Sequence, residues 1–146
     1  MFGLDELQDL PGRRFPGGSF VISADEDLLM REVVGASPRQ GDVAHPIWMF
    51  AGPQRAIGIT IDDLFAWCGS SSADGPMLGE TRLTMPRPLR IERRCAVTGG
   101  IVSADRKAGQ RAGTFDVVTF ELELTAAEDD GTRWAVRTSF VFPRRS

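Results

Sequence analysis

The chain has one histidine, one lysine, two cysteines and no tyrosine. Each scarcity removes a kind of chemistry. Any imidazole acid–base step must run through His45 or its copy in a symmetry mate, since imidazole is the usual proton carrier at neutral pH. Lys107 stands alone, which leaves almost no scope for lysine chemistry. Cys68 and Cys95 have neither metal-ligand spacing nor a disulfide-rich context, so both are expected to be reduced thiols in a cytoplasmic protein. No apolar run approaches the roughly 20 residues that span a bilayer. Met1 to Leu10 carry Asp5, Glu6 and Asp9 and no apolar stretch, so no secretory signal and no membrane partner are expected. The net charge of −3 and pI of about 5.2 speak against a nucleic-acid binder, which needs a basic stripe. Phosphate loop, dinucleotide fingerprint and zinc signature are all missing, and no metal is expected.

What is present fits one domain. The 146 residues are 42% hydrophobic and 25% charged, enough to bury a core. Pro11, Gly12, Pro16, Gly17 and Gly18 mark residues 1–19 as an N-terminal arm, leaving 20–146 as the domain. Ser23-Ala24-Asp25-Glu26 is a capping box, and it predicts a helix over 24–34 that Gly35 stops. A mostly apolar helical stretch begins at His45-Pro46 and runs through Ile47, Met49, Phe50 and Ala51 to Ile57, with Pro53 expected to kink or split it. Thr60 is a new N-cap, followed by Asp62, Asp63, Leu64, Phe65 and Trp67 and ended by Gly69.

From Met77 the apolar period drops to two. A strand ends at Met85, before Pro86-Arg87-Pro88. Ile91, Arg93, Cys95 and Val97 share one face of the next strand, with a bulge expected at Gly99-Gly100. Asp105 to Gly113 reads as a polar loop. Val118, Phe120, Leu122 and Leu124 alternate with polar residues, Asp129-Asp130-Gly131 signals a turn, and Trp134, Val136, Thr138, Phe140 and Phe142 share the face of a last strand. Helices first and antiparallel strands after give an α+β class. Periodicity alone leaves a hot-dog sheet and a cystatin-like cone both open.

Particular residues separate them. Gly41-Asp42-Val43-Ala44-His45-Pro46 resembles the Ala-His-Gly entry to the central helix of MaoC-like hydratases. Asp74 to Glu80 followed by Met85-Pro86-Arg87-Pro88-Leu89-Arg90 is similar to that family's strand and "Arg-Pro-Leu" stretch. Phe120–Thr125 and Trp134–Arg137 resemble its closing strand pair. The likeness spans residues 20–143 and is nearest to the non-catalytic N-terminal half of double hot-dog dehydratases. It implies an antiparallel sheet wrapped around a central apolar helix. It also implies a coenzyme A or phosphopantetheine thioester as substrate carrier, no further cofactor, and assembly as a homodimer or a heterodimer with another hot-dog subunit.

Two departures bear on activity. Catalytic members carry a Gly-Asp-x-Asn-Pro-x-His stretch before the central helix. Here only Ala36 to Gly41 lie between Gly35 and Asp42, with neither the Asn-Pro pair nor a histidine. Pro46 also stands where glycine is usual, removing a backbone N–H from the helix start that would face the thioester oxyanion.

The candidate catalytic residues are therefore His45 and Asp42, against the plainer reading of both as loop and cap residues. Asp62 and Asp63 are candidates for a thioesterase, against a first-turn interaction with the helix dipole. Trp48, Phe50, Phe65 and Trp67 are candidates for an acyl pocket, against ordinary core. Arg87 and Arg90 are candidates for the carrier's phosphates, against solvated surface. Three functions follow: a hydratase or dehydratase subunit whose dyad a partner supplies, a free-standing hot-dog thioesterase, and a non-enzymatic module that binds an acyl chain, sterol or polyketide.

Overall fold

The computed structural model describes residues 1–111, 113–127 and 131–145. The period-two half of the chain forms one antiparallel sheet. Its strands are β1 (Gly18–Val21), β2 (Met77–Thr84), β3 (Arg94–Gly109), β4 (Gly113–Ala126) and β5 (Arg133–Pro143), in the order β1-β3-β4-β5-β2. Alternation sorts the faces. Cys95, Val97, Ile101, Val118, Phe120, Leu122, Leu124, Trp134, Val136 and Phe142 are buried on the inner face. Glu121–Arg137 and Glu123–Arg133 ion pairs bridge β4 and β5 on the outer one. Burying a side chain such as Phe120 or Leu124 contributes about 1.5–3 kcal/mol, so the sheet carries much of the stability.

The inner face is covered by the first half of the chain. Helix α1 is Leu4–Gln8, α2 is Ala24–Val34, α3 is Trp48–Ala51 and α4 is Ile61–Trp67. The Ser23 capping box forms as the sequence predicts: the Glu26 N–H donates to Ser23 Oγ (3.0 Å), the Ser23 N–H donates to Glu26 Oε2 (2.9 Å), and Gly35 closes α2 at φ 69°. The central apolar stretch is split after Gly52, as Pro53 requires: α3 gives way to a 3-10 turn, Pro53–Ala56, before α4. Met49, Ala56, Leu64 and Phe65 from this layer are buried, and Phe65 meets Phe140 and Phe142 edge-on at 5.4 and 5.7 Å.

Four expectations need correction. Residues 1–19 hold α1 and contribute Leu7, Leu10 and Phe15 to the core. The Gly99-Gly100 pair is not a bulge. The register slips instead between Ile101 and Ser103. The glycines serve close packing: a Cβ on Gly99 would lie 2.2 Å from the Glu121 carbonyl, and one on Gly100 would lie 2.5 Å from the Arg13 carbonyl. Residues 13–15 pass there along β3, where the Phe15 N–H donates to Gly99 O and the Ile101 N–H to Arg13 O. The expected polar loop 105–113 is mostly strand, because Arg106 on β3 pairs across to Asp116 on β4. Ile91 and Arg93 precede β3 rather than starting it, and Glu92 turns the chain at φ 59°. Asp129 and Asp130 of the expected turn lie outside the described residues.

Candidate functional site

The segment from Ala36 to Ile47 is organised by a carboxylate that the sequence does not advertise. Asp27 is fully buried on α2. Its Oδ1 accepts the His45 backbone N–H (2.8 Å) and the Trp48 indole N–H (3.1 Å), while Oδ2 takes Arg31 (2.9 Å) and Arg39 (3.3 Å). Burial alone would raise the Asp27 carboxyl. The His45 N–H and the two guanidiniums outweigh it and hold the group below its ordinary 3.8. The arginines pass the anchorage on: Arg31 donates to Ser37 O and Val43 O, and Arg39 donates to Gly41 O. Together these bonds fix the short loop between α2 and α3.

His45 is half-buried and already employed. Its Nδ1 accepts the Ile47 N–H at 3.1 Å, and its carbonyl accepts the Trp48 N–H. Pro46 lies in this tight turn just ahead of α3. Asp42 does not turn to His45. Its carboxylate receives Arg90 and lies 3.5 Å from Arg93. The two are thus close in sequence but engaged with different partners.

Asp62 and Asp63 are exposed and serve the start of α4. The Asp63 N–H donates to Thr60 Oγ1 and the Thr60 N–H to Asp63 Oδ2, both at 3.0 Å. Asp62 accepts Ser72 Oγ–H at 2.8 Å. The two aspartates therefore act in separate bonds, and neither faces a cavity residue among those bonds.

Trp48 and Phe65 are buried, with Phe50 and Trp67 partly so. Trp67 stacks on Phe15 at 5.6 Å, and the Arg13 guanidinium lies 3.7 Å above its ring. These aromatics fill the interior. An apolar cleft lies elsewhere, under the β2–β3 connection: Leu89, Cys95, Ala126 and Trp134 line it, and Arg90, Arg93 and Arg94 form its rim. Its volume is about 70 Å³, small beside the roughly 300 Å³ of even modest ligand pockets. Arg87 is exposed, and its carbonyl accepts the Trp134 indole N–H at 2.7 Å. Burial pushes the Cys68 thiol up to about 12, which makes it a poor nucleophile. Among the described residues, no group of three or more His, Cys, Asp or Glu side chains could hold a metal ion. No helix described is long and apolar enough to cross a membrane.

Sequence reasoning missed Asp27. A first-turn aspartate looks like a dipole partner, and only the i,i+4 spacing to Arg31 hinted at more. Its essential partners, Arg39, His45 and Trp48, come from 12 to 21 residues away and had no signal.

A five-stranded antiparallel sheet with its helical layer packed into one face, split at a proline and entered through the short loop, is a hot-dog fold. Solved structures bear this out. One chain of the ChsH1–ChsH2 complex from Mycobacterium tuberculosis superposes with a TM-score of 0.69 at 12% identity, over 99% of this chain and 96% of that one. A chain of the HadBC (3R-hydroxyacyl-ACP dehydratase) complex from the same organism gives 0.65 at 15% identity, over 91% and 97%. The MaoC-like dehydratase of Rhodospirillum rubrum gives 0.56 at 18% identity, over 96% and 98%. The fold is thus the one these three solved structures share. No family model matches the chain, and no curated protein matches it.

Proposed function

We propose that this chain is a pocket-forming subunit of an acyl-thioester hydratase or dehydratase, with the catalytic Asp–His dyad carried by a partner hot-dog chain. The observation that carries this reading is the loop before α3. Where a hydratase of this fold would present its dyad, Asp42 is taken by Arg90, and His45 is held by Asp27 and Ile47. The protein keeps the scaffold and lacks the working pair.

Two further features support a partner. The apolar cleft that Leu89, Cys95, Ala126 and Trp134 line is by itself too small for an acyl chain, and the adjoining apolar hollow of about 340 Å³, lined by Ser19, Ala96, Thr125 and Ala127, lies open on the surface. Next to the loop, α2 exposes Leu28, Leu29 and Val33 at 53%, 62% and 75%, an unusual cost for a helix of an isolated domain. A second chain seated there would cover apolar surface and close the pocket together. The carrier would be coenzyme A or an acyl carrier protein's phosphopantetheine arm.

The test is hydration of a panel of enoyl-CoA thioesters by the purified chain, alone and mixed with a dyad-bearing hot-dog chain, taken from a neighbouring reading frame where one is encoded. Turnover only in the mixture supports the proposal. Robust turnover by the lone chain, abolished on changing His45, would sink it. Binding of acyl thioesters without turnover in either case would favour a non-enzymatic acyl-binding module.

A further inference from the structure

Among the described residues the sheet slips its register in two places, and both slips meet one row of side chains. On β3 the extra residue is Val102, which sets Ser103 opposite Thr119. On β2 it is Gly79, which sets Glu80 opposite Ser139. Thr119 and Ser139 already face each other across β4 and β5. Ser103, Thr119, Ser139 and Glu80 therefore form one line across four strands, on the face of the sheet turned away from the helices. Without the slips Val102 and Gly79 would hold the two ends of that line. The bulges put a hydroxyl and a carboxylate there instead, and bulges that re-aim side chains gather beside functional sites.

The next row holds Arg82 opposite Arg137, with Glu121 beyond. Like charges directly opposite each other destabilise a sheet, and the pair is only partly relieved. Glu121 reaches Arg137 at 3.2 Å, and Glu80 stays 3.7 Å from Arg82. Each guanidinium has five N–H donors, so both keep donors to spare. Between these rows lies a hollow of about 400 Å³, lined by Glu80, Arg82, Thr119, Arg137 and Ser139. Thr119 is only 8% exposed, so the hydroxyls lie at its floor. They share one hydrogen bond of 2.8 Å, which uses one of their two hydrogens and leaves the other to donate.

We propose that this hollow binds a phosphate monoester of a small polyol, with the phosphate between Arg82 and Arg137 and the polyol on the hydroxyl row. Planar guanidiniums match phosphate oxygens two at a time, and the phosphate relieves the repulsion between them. The spare hydroxyl hydrogen donates to the ester, and the Glu80 carboxylate accepts from a polyol O–H. A lining of charged and hydroxyl side chains gives an acyl chain nothing to rest on, so the ligand differs from the acyl thioester. The site is on the opposite face of the sheet from the helical layer, and it does not rest on the subunit reading.

The test is calorimetric titration of the full chain with three probes: ribose phosphorylated on its primary hydroxyl, inorganic phosphate, and ribose. The ester should bind, inorganic phosphate should bind about tenfold more weakly, and ribose should give no heat. The Arg82 and Arg137 side chains are 73% and 49% exposed, so Arg82→Gln and Arg137→Gln should keep the wild-type circular dichroism. Each should weaken the ester about tenfold. Glu121→Gln removes the carboxylate that competes for Arg137 and should tighten the ester about threefold, a gain that misfolding does not produce. No heat with the ester up to about 10 mM, where even a weak polar site registers, would overturn the proposal. Unchanged affinity in both arginine variants, or no gain in Glu121→Gln, would overturn it too. Inorganic phosphate binding as tightly as the ester would overturn the assignment to a polyol ester. Enoyl-CoA hydration enters none of these outcomes, so the two readings fail separately.

Discussion

Two buried carboxylates in this molecule, Asp116 and Asp27, are built alike and put to different uses. Both are fully buried, and both take two arginines. Asp116 on β4 receives Arg106 at 2.8 and 3.0 Å and Arg144 at 2.7 Å. Those arginines then reach backbone carbonyls of the scaffold: Arg106 that of Phe2, Arg144 those of Cys68 and Gly69. The cluster ties the first residues, the end of α4 and the end of β5 to the sheet. Asp27 instead spends its bonds on a loop and a helix entry. One carboxylate secures the frame, and the other secures the loop that leads into α3.

The arginines predict unequal costs. Arg144 is 4% exposed and Arg106 22%, so removing Asp116 strands charge away from water. Asp116→Ala should destabilise the protein by about 3–5 kcal/mol, the range for breaking one side of a buried pair. Urea unfolding followed by circular dichroism measures it. Arg31 and Arg39 are 12% and 24% exposed, so neither is enclosed as deeply as Arg144. Asp27→Ala should therefore cost less, about 1–3 kcal/mol, chiefly through the stranded His45 and Trp48 N–H donors. Its distinctive effect should be faster amide exchange confined to residues 36–48. Equal losses in the two variants would break the comparison.

The same pair governs behaviour in acid. In each case burial raises the carboxyl, and the hydrogen bonds and guanidiniums more than reverse it, so both folded values lie below the ordinary 3.8. A group lowered on folding stabilises the native state above its unfolded pKa, and that stability is lost as pH falls through the folded value. The wild type should thus lose stability as pH drops below about 4. Asp27→Asn and Asp116→Asn should each flatten that fall, which thermal unfolding across pH would read. A variant with the wild-type slope would show that its carboxylate contributes no such linkage.

How much of this could be read beforehand follows from the range of each interaction. The α2 capping box and the Val118–Leu124 alternation are local, and both elements form where the pattern puts them. Pro53 splits the central stretch by the same local logic. Asp116 lay between the expected loop 105–113 and the Val118–Leu124 alternation and drew no reading, because its meaning lies in Arg106 across the hairpin and Arg144 at 28 residues' distance. Gly99 and Gly100 suggested a bulge, since a glycine pair looks the same whether it bends a strand or admits residues 13–15 beside it. His45 was visible as the only histidine, but its engagement with Asp27 and Ile47 needed the fold.

The smallest expected effect is the sharpest on function. His45→Ala keeps the backbone N–H that Asp27 holds, so the loop's main anchor survives. What is lost is the Nδ1 acceptor for the Ile47 N–H, at a half-buried site where water can substitute. The cost should stay below about 1 kcal/mol. If Asp27 secures a vacated site, turnover in the mixture with the dyad-bearing partner should be unchanged within about twofold. A loss of a hundredfold or more, the scale on which removing a general acid or base is felt, would instead make His45 a catalytic residue and Asp27 its positioning residue. Asp27→Ala would then lower turnover as well, while Asp116→Ala, assayed where it remains folded, would not. The two carboxylates would still differ in use, with Asp27 serving catalysis through His45.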